Sequence, residues 1–504
     1  MLLVPRMLGP TVGLSAVALL GGCGSPPAPT SVAPMAVAEE PRARYQAAVA
    51  RIETASREAA YPRRWLRTLC QDIGHRLSGS PALERAVDWA ASTLARIDGV
   101  VVERQPVEVP RWVRGEESLV VIGEDGTEEP VPLLGLGMSP GTGPDGIEGE
   151  LVVLTDVAEL ETRAEEVAGR VVLFDVPMPP FDEETERPGY GEVVGVRIGG
   201  PVRAGAYGAL AVLLRSLTTD PTSPPHTGMT AFEGPEGRDP PHEVRSPLTR
   251  EPRYIPAAAI TIPDAERLHR RVDAGERVRV RLRMGARNGG TATSHNVIAT
   301  LTGQGRPDEL VVFGGHIDSW DVGDGCHDDG AGVVSAMAAL RLLSELELRP
   351  RRTLRAVLWT NEENGLGGAR AYAADHAGDG RHVAALESDS GAAPVIALQV
   401  EDPREDHAET SLEQIRFVAD LLRPLGVRTG RASFSGADLG PLRELGVPGV
   451  GVTHDTRHYF ALHHTAADTY EAVDPEAFRQ GVAVMAATAY VLAEAPWRLG
   501  ERGD

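Results

Sequence analysis

The run Leu310-Val311-Val312-Phe313-Gly314-Gly315-His316-Ile317-Asp318 passes from six apolar or small residues directly to a histidine and an aspartate. Such a run, without polar alternation, reads as a strand buried on both faces. After it, Asp328-Asp329-Gly330 opens an amphipathic helix predicted over Gly330–Leu346, and Leu354–Trp359 is the next strand. The helix Gly368–Asp375, the strand Val383–Glu387, the helix Leu412–Leu422 and the strand Val447–Val452 follow. Asn296–Leu301 is a strand that precedes them all. Strands alternating with helices predict an α/β fold with a central, mostly parallel sheet flanked by helices. In such sheets the active site lies beyond the carboxyl ends of the strands.

Upstream the pattern changes twice. Residues from about Pro41 to Ala95 read as helical, with Val87–Leu94 a clear stretch. From Leu119 to about Arg283 the chain holds short β runs such as Leu151–Leu154 and Val171–Phe174, between long Pro/Gly loops. This region is expected to be an inserted domain. The expected organisation is a catalytic domain in two parts, 41–118 and 289–500, around an insertion at 119–288.

At the start, Arg6 and an apolar run lead to Leu20-Gly21-Gly22-Cys23, the layout of a secretory signal over residues 1–23. The four residues resemble a bacterial lipobox, which would make Cys23 the lipidated residue. Residues 24–40, rich in Pro, Ser and Ala, read as a flexible tether. The expectation is an exported lipoprotein, periplasmic or at the cell surface, with the membrane reached only through its anchor.

The 504 residues carry a formal net charge of -22, which argues against a nucleic-acid partner. Every basic residue is arginine, so no lysine can serve as nucleophile or Schiff base. No disulfide framework can be read from three cysteines. Cys70, in the apolar stretch Trp65–Cys70, reads as a core residue.

The chemistry-bearing residues sit at the strand ends: His316 and Asp318, Asp328 and Asp329, Glu362-Glu363, Asp389, and His463-His464. Any one alone would be an ordinary turn or cap residue. Together, imidazoles and carboxylates without a required thiolate suit zinc. Two histidines with several carboxylates exceed the needs of one catalytic ion and fit a pair sharing a carboxylate.

From about Tyr45 to the C-terminus the chain resembles the cocatalytic dizinc aminopeptidase and glutamate-carboxypeptidase family. Arg76-Leu77-Ser78-Gly79-Ser80, Pro225-His226-Thr227-Gly228, Gly315–Gly323, Arg352–Thr360 and Glu387-Ser388-Asp389 carry the resemblance. It implies a zinc-exopeptidase fold with an inserted α+β, protease-associated-like domain, which lids the site or forms a homodimer interface. It implies two zinc ions held by His316, Asp328, Glu363, Asp389 and His464, with Asp328 bridging and joined to Asp329 by a cis peptide. Glu362 would be the general base. Asp318 would orient His316 through its other ring nitrogen, and Asp329 would support the ligands from behind. His463 is the candidate donor to the tetrahedral oxyanion.

The implied reaction is hydrolysis of dipeptides or small peptides by metal-activated water. The runner-up is an aminopeptidase on the same centre. A non-catalytic binding module is disfavoured because all five ligands and the base are present. A one-zinc acyltransferase or cyclase is disfavoured by Glu362-Glu363 together with His464 and Asp328. Cys326 and His327, beside the bridging aspartate, read as spectators because the ligand set is complete without them. Asp438 is either near the metals or a helix cap. His226 lies in a Pro-rich loop and either faces substrate or solvent. Arg457 is the basic candidate for a substrate carboxylate.

Overall fold

The computed structural model describes residues 39–232 and 251–502. Cys23, the signal segment and nearly all of the tether lie outside them. Eight strands form one sheet, in the order Val100–Val113, Arg287–Leu301, Arg352–Trp359, Arg306–His316, Arg381–Glu387, Gly449–His454, Val395–Glu401, Thr429–Ala432. Arg306–His316 runs parallel to both of its neighbours, and Arg381–Glu387 parallel to Gly449–His454. The flanks are antiparallel on one side and mixed on the other.

Strands Val395–Glu401 and Thr429–Ala432 were not among the predicted elements. The first alternates in burial and the second is four residues long, so neither shows the continuous apolar run of a central strand.

The helix Ala331–Glu345 departs from its amphipathic expectation. It is buried almost all round, between the sheet and the helices Pro475–Glu494 and Glu39–Glu58. Its alanine, glycine and valine content lets helices approach on several sides at once. Gly367–His376 and Gly440–Glu444 cover the opposite face of the sheet.

A second sheet is built from strands between Glu117 and Met284, in the order Glu128–Val131, Glu117–Ile122, Arg279–Met284, Ile147–Leu154, Val171–Phe174, Ala211–Arg215, Ala257–Ile260, Leu133–Gly135. Two apolar clusters fill its two faces, packed under the helices Tyr190–Ala206 and Ile262–Asp273. The chain enters and leaves this region along a single antiparallel ribbon, paired from Val100 with Leu301 to Val113 with Arg287. Two long strands hydrogen-bonded to each other hold the second sheet over one end of the first.

Candidate metal centre

His316 closes its strand, and its backbone N–H donates to Asp329 Oδ2 at 3.2 Å. Its Nε2 faces Asp328 Oδ1 at 3.1 Å and Asp389 Oδ1 at 3.5 Å. Asp328 Oδ2 lies 3.1 Å from His464 Nε2, which is also 3.2 Å from Glu363 Oε2. Asp328 therefore stands between two donor groups, His316 with Asp389 and His464 with Glu363. The peptide joining Asp328 to Asp329 is cis. His463 stacks on His464, ring centroids 3.6 Å apart, with its Nε2 3.7 Å from Asp328 Oδ2.

These groups fit a metal on three counts. His316 Nε2 and Asp328 Oδ2 are buried without a hydrogen-bond partner. Three sets of ligand atoms lie within 4.8 Å of one another: His316, Asp328 and Glu363; His316, Asp329 and Asp389; Asp328, His463 and His464. Burial, with the neighbouring carboxylates, pushes the Glu362 and Glu363 carboxyls well above the usual range. Crowded buried carboxylates need a cation among them, and imidazole with carboxylate is a donor set that suits zinc.

The surrounding shell corrects one expectation. The nearest acceptor for His316 Nδ1 is the Asp318 backbone carbonyl at 3.1 Å, while the Asp318 carboxylate is 3.8 Å away. That carboxylate is occupied elsewhere. It accepts from Ser78 Oγ at 2.9 Å and from the N–H groups of Glu362 and Glu363 at 3.1 and 3.4 Å. The chain turns just past the strand end and aims the carbonyl, not the side chain, at the ring. Asp318 so fixes the turn that carries Glu362-Glu363. Asp329 accepts from His316 N–H and from Gly332 N–H at 3.0 Å, and ties the strand to the helix behind the site.

Two further residues shape the loop before Asp328. Buried Asp468 accepts the N–H groups of Cys326, His327 and Asp328 at 3.1, 2.7 and 3.1 Å. Arg76, wholly buried, donates to the carbonyls of Ile317, Asp324 and Gly325 at 2.6, 3.1 and 2.8 Å. Sequence reasoning gave neither a role. The available signals were their places in the quoted Arg76–Ser80 stretch and four residues past His464.

A disulfide joins Cys70 to Cys326 across 256 residues. This overturns the reading of Cys70 as only a core residue and of Cys326 as an idle neighbour of the metal. A pair so distant in sequence carries no local signal. His327 lies outside the three ligand sets; burial lowers its pKa to about 4, and its Nδ1 accepts the Ala392 N–H at 3.2 Å. Asp438 is no cap: both of its carboxylate oxygens are buried and unpartnered. Arg457 is engaged by Glu183 and Asp455. His226 is buried, not a solvent-facing loop residue.

The second sheet closes over this centre. Trp320 donates its backbone N–H to Glu363 Oε1 at 3.1 Å and lays its ring against Gly137. Arg114 Nε pairs with Asp321 at 2.9 Å, and Thr227 N–H donates to the His464 carbonyl at 2.8 Å. Tyr190 stacks on Phe460, centroids 4.6 Å apart, and meets His463 edge-on at 5.1 Å.

An α/β sheet with paired imidazole and carboxylate groups at its strand ends defines a metallopeptidase of the zinc-exopeptidase type. Residues 296–489 match the model of peptidase family M28. The chain is 36% identical to carboxypeptidase Q of Bos taurus over 431 residues, 85% of this chain and 84% of that one. Against carboxypeptidase Q of Homo sapiens it is 35% identical, with 85% and 84% covered. The crystal structure of a peptidase M28 precursor from Shewanella amazonensis superposes with a TM-score of 0.80 at 32% identity, covering 91% of this chain and 98% of that one. The chain belongs to peptidase family M28, among its carboxypeptidase Q-like members.

Proposed function

We propose that this protein is a two-zinc exopeptidase that hydrolyses dipeptides and other small peptides. The observation that carries this reading is the pair of donor groups, His316 with Asp389 and His464 with Glu363, flanking Asp328. Bound there, zinc would supply Lewis acidity toward water and the scissile carbonyl. Glu362, whose backbone N–H is held by Asp318, takes the proton of the attacking water on its carboxylate and returns it to the leaving amine. Burial lowers the His463 pKa well below the ordinary histidine value, so its ring is neutral. It donates to the carbonyl oxygen as that atom becomes tetrahedral. A cavity of about 150 Å³ beside Asp389, bordered by Arg187, Phe434 and Thr453, leaves room for a substrate side chain.

The test uses protein beginning at Gly24. Bound zinc is counted, and free dipeptides, N-blocked dipeptides and amino-acid anilides are assayed beside Glu362→Gln. About two zinc per chain, turnover of free dipeptides, and a loss of roughly 10²–10⁴-fold in the variant are expected. Turnover of anilides alone would make the protein an aminopeptidase. No turnover after zinc is restored would leave a binding module.

Export with anchoring at Cys23 is part of the same reading. It is supported by the lipobox-like Leu20–Cys23 and by a disulfide, which persists in oxidising compartments. Labelling with a fatty acid in cells, abolished by Cys23→Ser, tests it. The resemblance also implies a homodimer, which a mass near one chain by light scattering would rule out.

A further inference from the structure

Arg197 and His226 both come from the second sheet's side of the cleft: Arg197 touches His464, and His226 directly precedes Thr227, whose N–H donates to the His464 carbonyl. Arg197 is 5% exposed and His226 2%. The Arg197 Nη1 lies 3.2 Å from His464 Nδ1 and 3.5 Å from the Thr227 carbonyl, while its Nε is buried without a partner. Its guanidinium lies over the Tyr190 ring, 5.7 Å from the centroid. No carboxylate is ion-paired with Arg197 among the described residues. His226 Nδ1 accepts the Leu217 N–H at 3.3 Å, so its proton sits on Nε2, and that Nε2 is buried and unpartnered. Two buried donor atoms, Arg197 Nε and His226 Nε2, are thus unsatisfied in this region, one of them on a full positive charge. Left so, each costs free energy.

Imidazole chemistry sharpens the point. Arginine only donates, so its contact with His464 requires a lone pair on Nδ1. When His464 gives its Nε2 lone pair to a metal, a neutral ring carries its proton on Nδ1 and can no longer accept from Arg197. The guanidinium then keeps the long contact to Thr227 and a hydrogen bond to the Tyr190 hydroxyl, neither of which balances its charge. The loaded site therefore holds an unpaired cation one imidazole width from the ligand atom. The backbone is shaped for it: at Gly228, with φ +119°, an added Cβ would lie 2.2 Å from Arg197 Nη1 and 2.7 Å from His464 Nδ1.

We infer that Arg197 and His226 form the anchor for the free C-terminal carboxylate of the peptide substrate. This rests on the exopeptidase reading above and gives the basic role considered for Arg457 to a different residue. A dipeptide's carboxylate lies only about 3.5 Å beyond its scissile carbonyl, which suits a cation directly behind a metal-ligand ring. A planar guanidinium receives a carboxylate through two parallel hydrogen bonds, and the His226 Nε2–H supplies a third.

The test is binding rather than turnover. Zinc-loaded Glu362→Gln protein is titrated calorimetrically with alanyl-leucine and with its C-terminal amide, and bound zinc is measured for every variant. The acid should bind about 30-fold more tightly than the amide. Adding Arg197→Gln should bring the acid to within about 3-fold of the amide with zinc unchanged, and Arg197→Lys should fall between. Should Arg197→Gln fail to fold, His226→Phe is read in its place and should weaken the acid about 10-fold and the amide little. Equal binding of acid and amide by the parent, or a preference that survives Arg197→Gln, overturns the anchor. If the unmutated enzyme hydrolyses neither compound while binding of the acid still depends on Arg197, the exopeptidase reading fails and the anchor stands.

Discussion

Asp468 touches none of the proposed ligand atoms, yet three successive N–H groups of the loop ending in Asp328 converge on its carboxylate. Burial pushes its pKa up to about 7 despite those donors. Asparagine would offer one oxygen where two are used and would turn an amide N–H toward a backbone donor. Asp468→Asn is expected to weaken zinc binding roughly 10–100-fold, read by competition with a chelator. Unchanged affinity would show that the loop holds its shape without it. At this scale the residues proposed as ligands could be picked out of the sequence. His316, Asp328, Glu363, Asp389 and His464 stand at strand ends, where polarity after an apolar run is conspicuous. Asp468, Arg76 and Arg197 make their contacts with segments far apart in sequence, so the runs around them do not disclose what they touch.

Between elements, two ties bear on the strand and loop that carry His316 and Asp328. The disulfide Cys70–Cys326 links the N-terminal helical region to the loop before Asp328. Protein beginning at Gly24 should show no free thiol when denatured without reductant. Replacing both cysteines by alanine should cost about 2–5 kcal/mol, seen as a lower denaturant midpoint. At the other end of the strand Arg306–His316, Glu309 pairs with buried Arg352 at 2.5 Å and with Arg498 at 2.7 Å. Burial alone would raise the Glu309 pKa, but the two arginines outweigh it and hold it down to about 2, against an ordinary 4.5. A depressed folded-state pKa stabilises the fold fully above the unfolded value, and this contribution is lost as pH falls toward the folded one. Glu309→Gln should therefore cost about 3 kcal/mol near neutral pH, because Arg352 is left buried and unpaired. The gap to the parent protein should narrow between about pH 4.5 and 2. A gap constant over that window would mean that the loss is one of packing.

At the scale of the whole molecule, the second sheet meets the first beside the candidate metal centre. The contact is tightest at Gly137, where an added Cβ would lie 1.9 Å from the Trp320 ring. Trp320 cannot retreat freely, since its backbone N–H is tied to Glu363 and its ring meets His464 edge-on at a centroid distance of 5.8 Å. Gly137→Val should lower kcat/KM about 100-fold through a displacement of roughly 1 Å, with a stability loss of only about 1–3 kcal/mol. Kinetics and melting on one zinc-loaded sample separate the two effects. From sequence alone came the α/β class, the central strands, the presence of an insertion and the carboxylates and imidazoles at the strand ends. Those follow from runs of a few residues: apolar continuity marks burial, and abrupt polarity at a strand end marks a site. Tertiary structure alone settled the pairing of Cys70 with Cys326, the Asp318 carbonyl as partner of His316, the buried state of the helix Ala331–Glu345, and the contact of Arg197 with His464. Each depends on two or more segments meeting in space. A residue's neighbours across a fold are set by packing of the whole chain, which no local run of residues records.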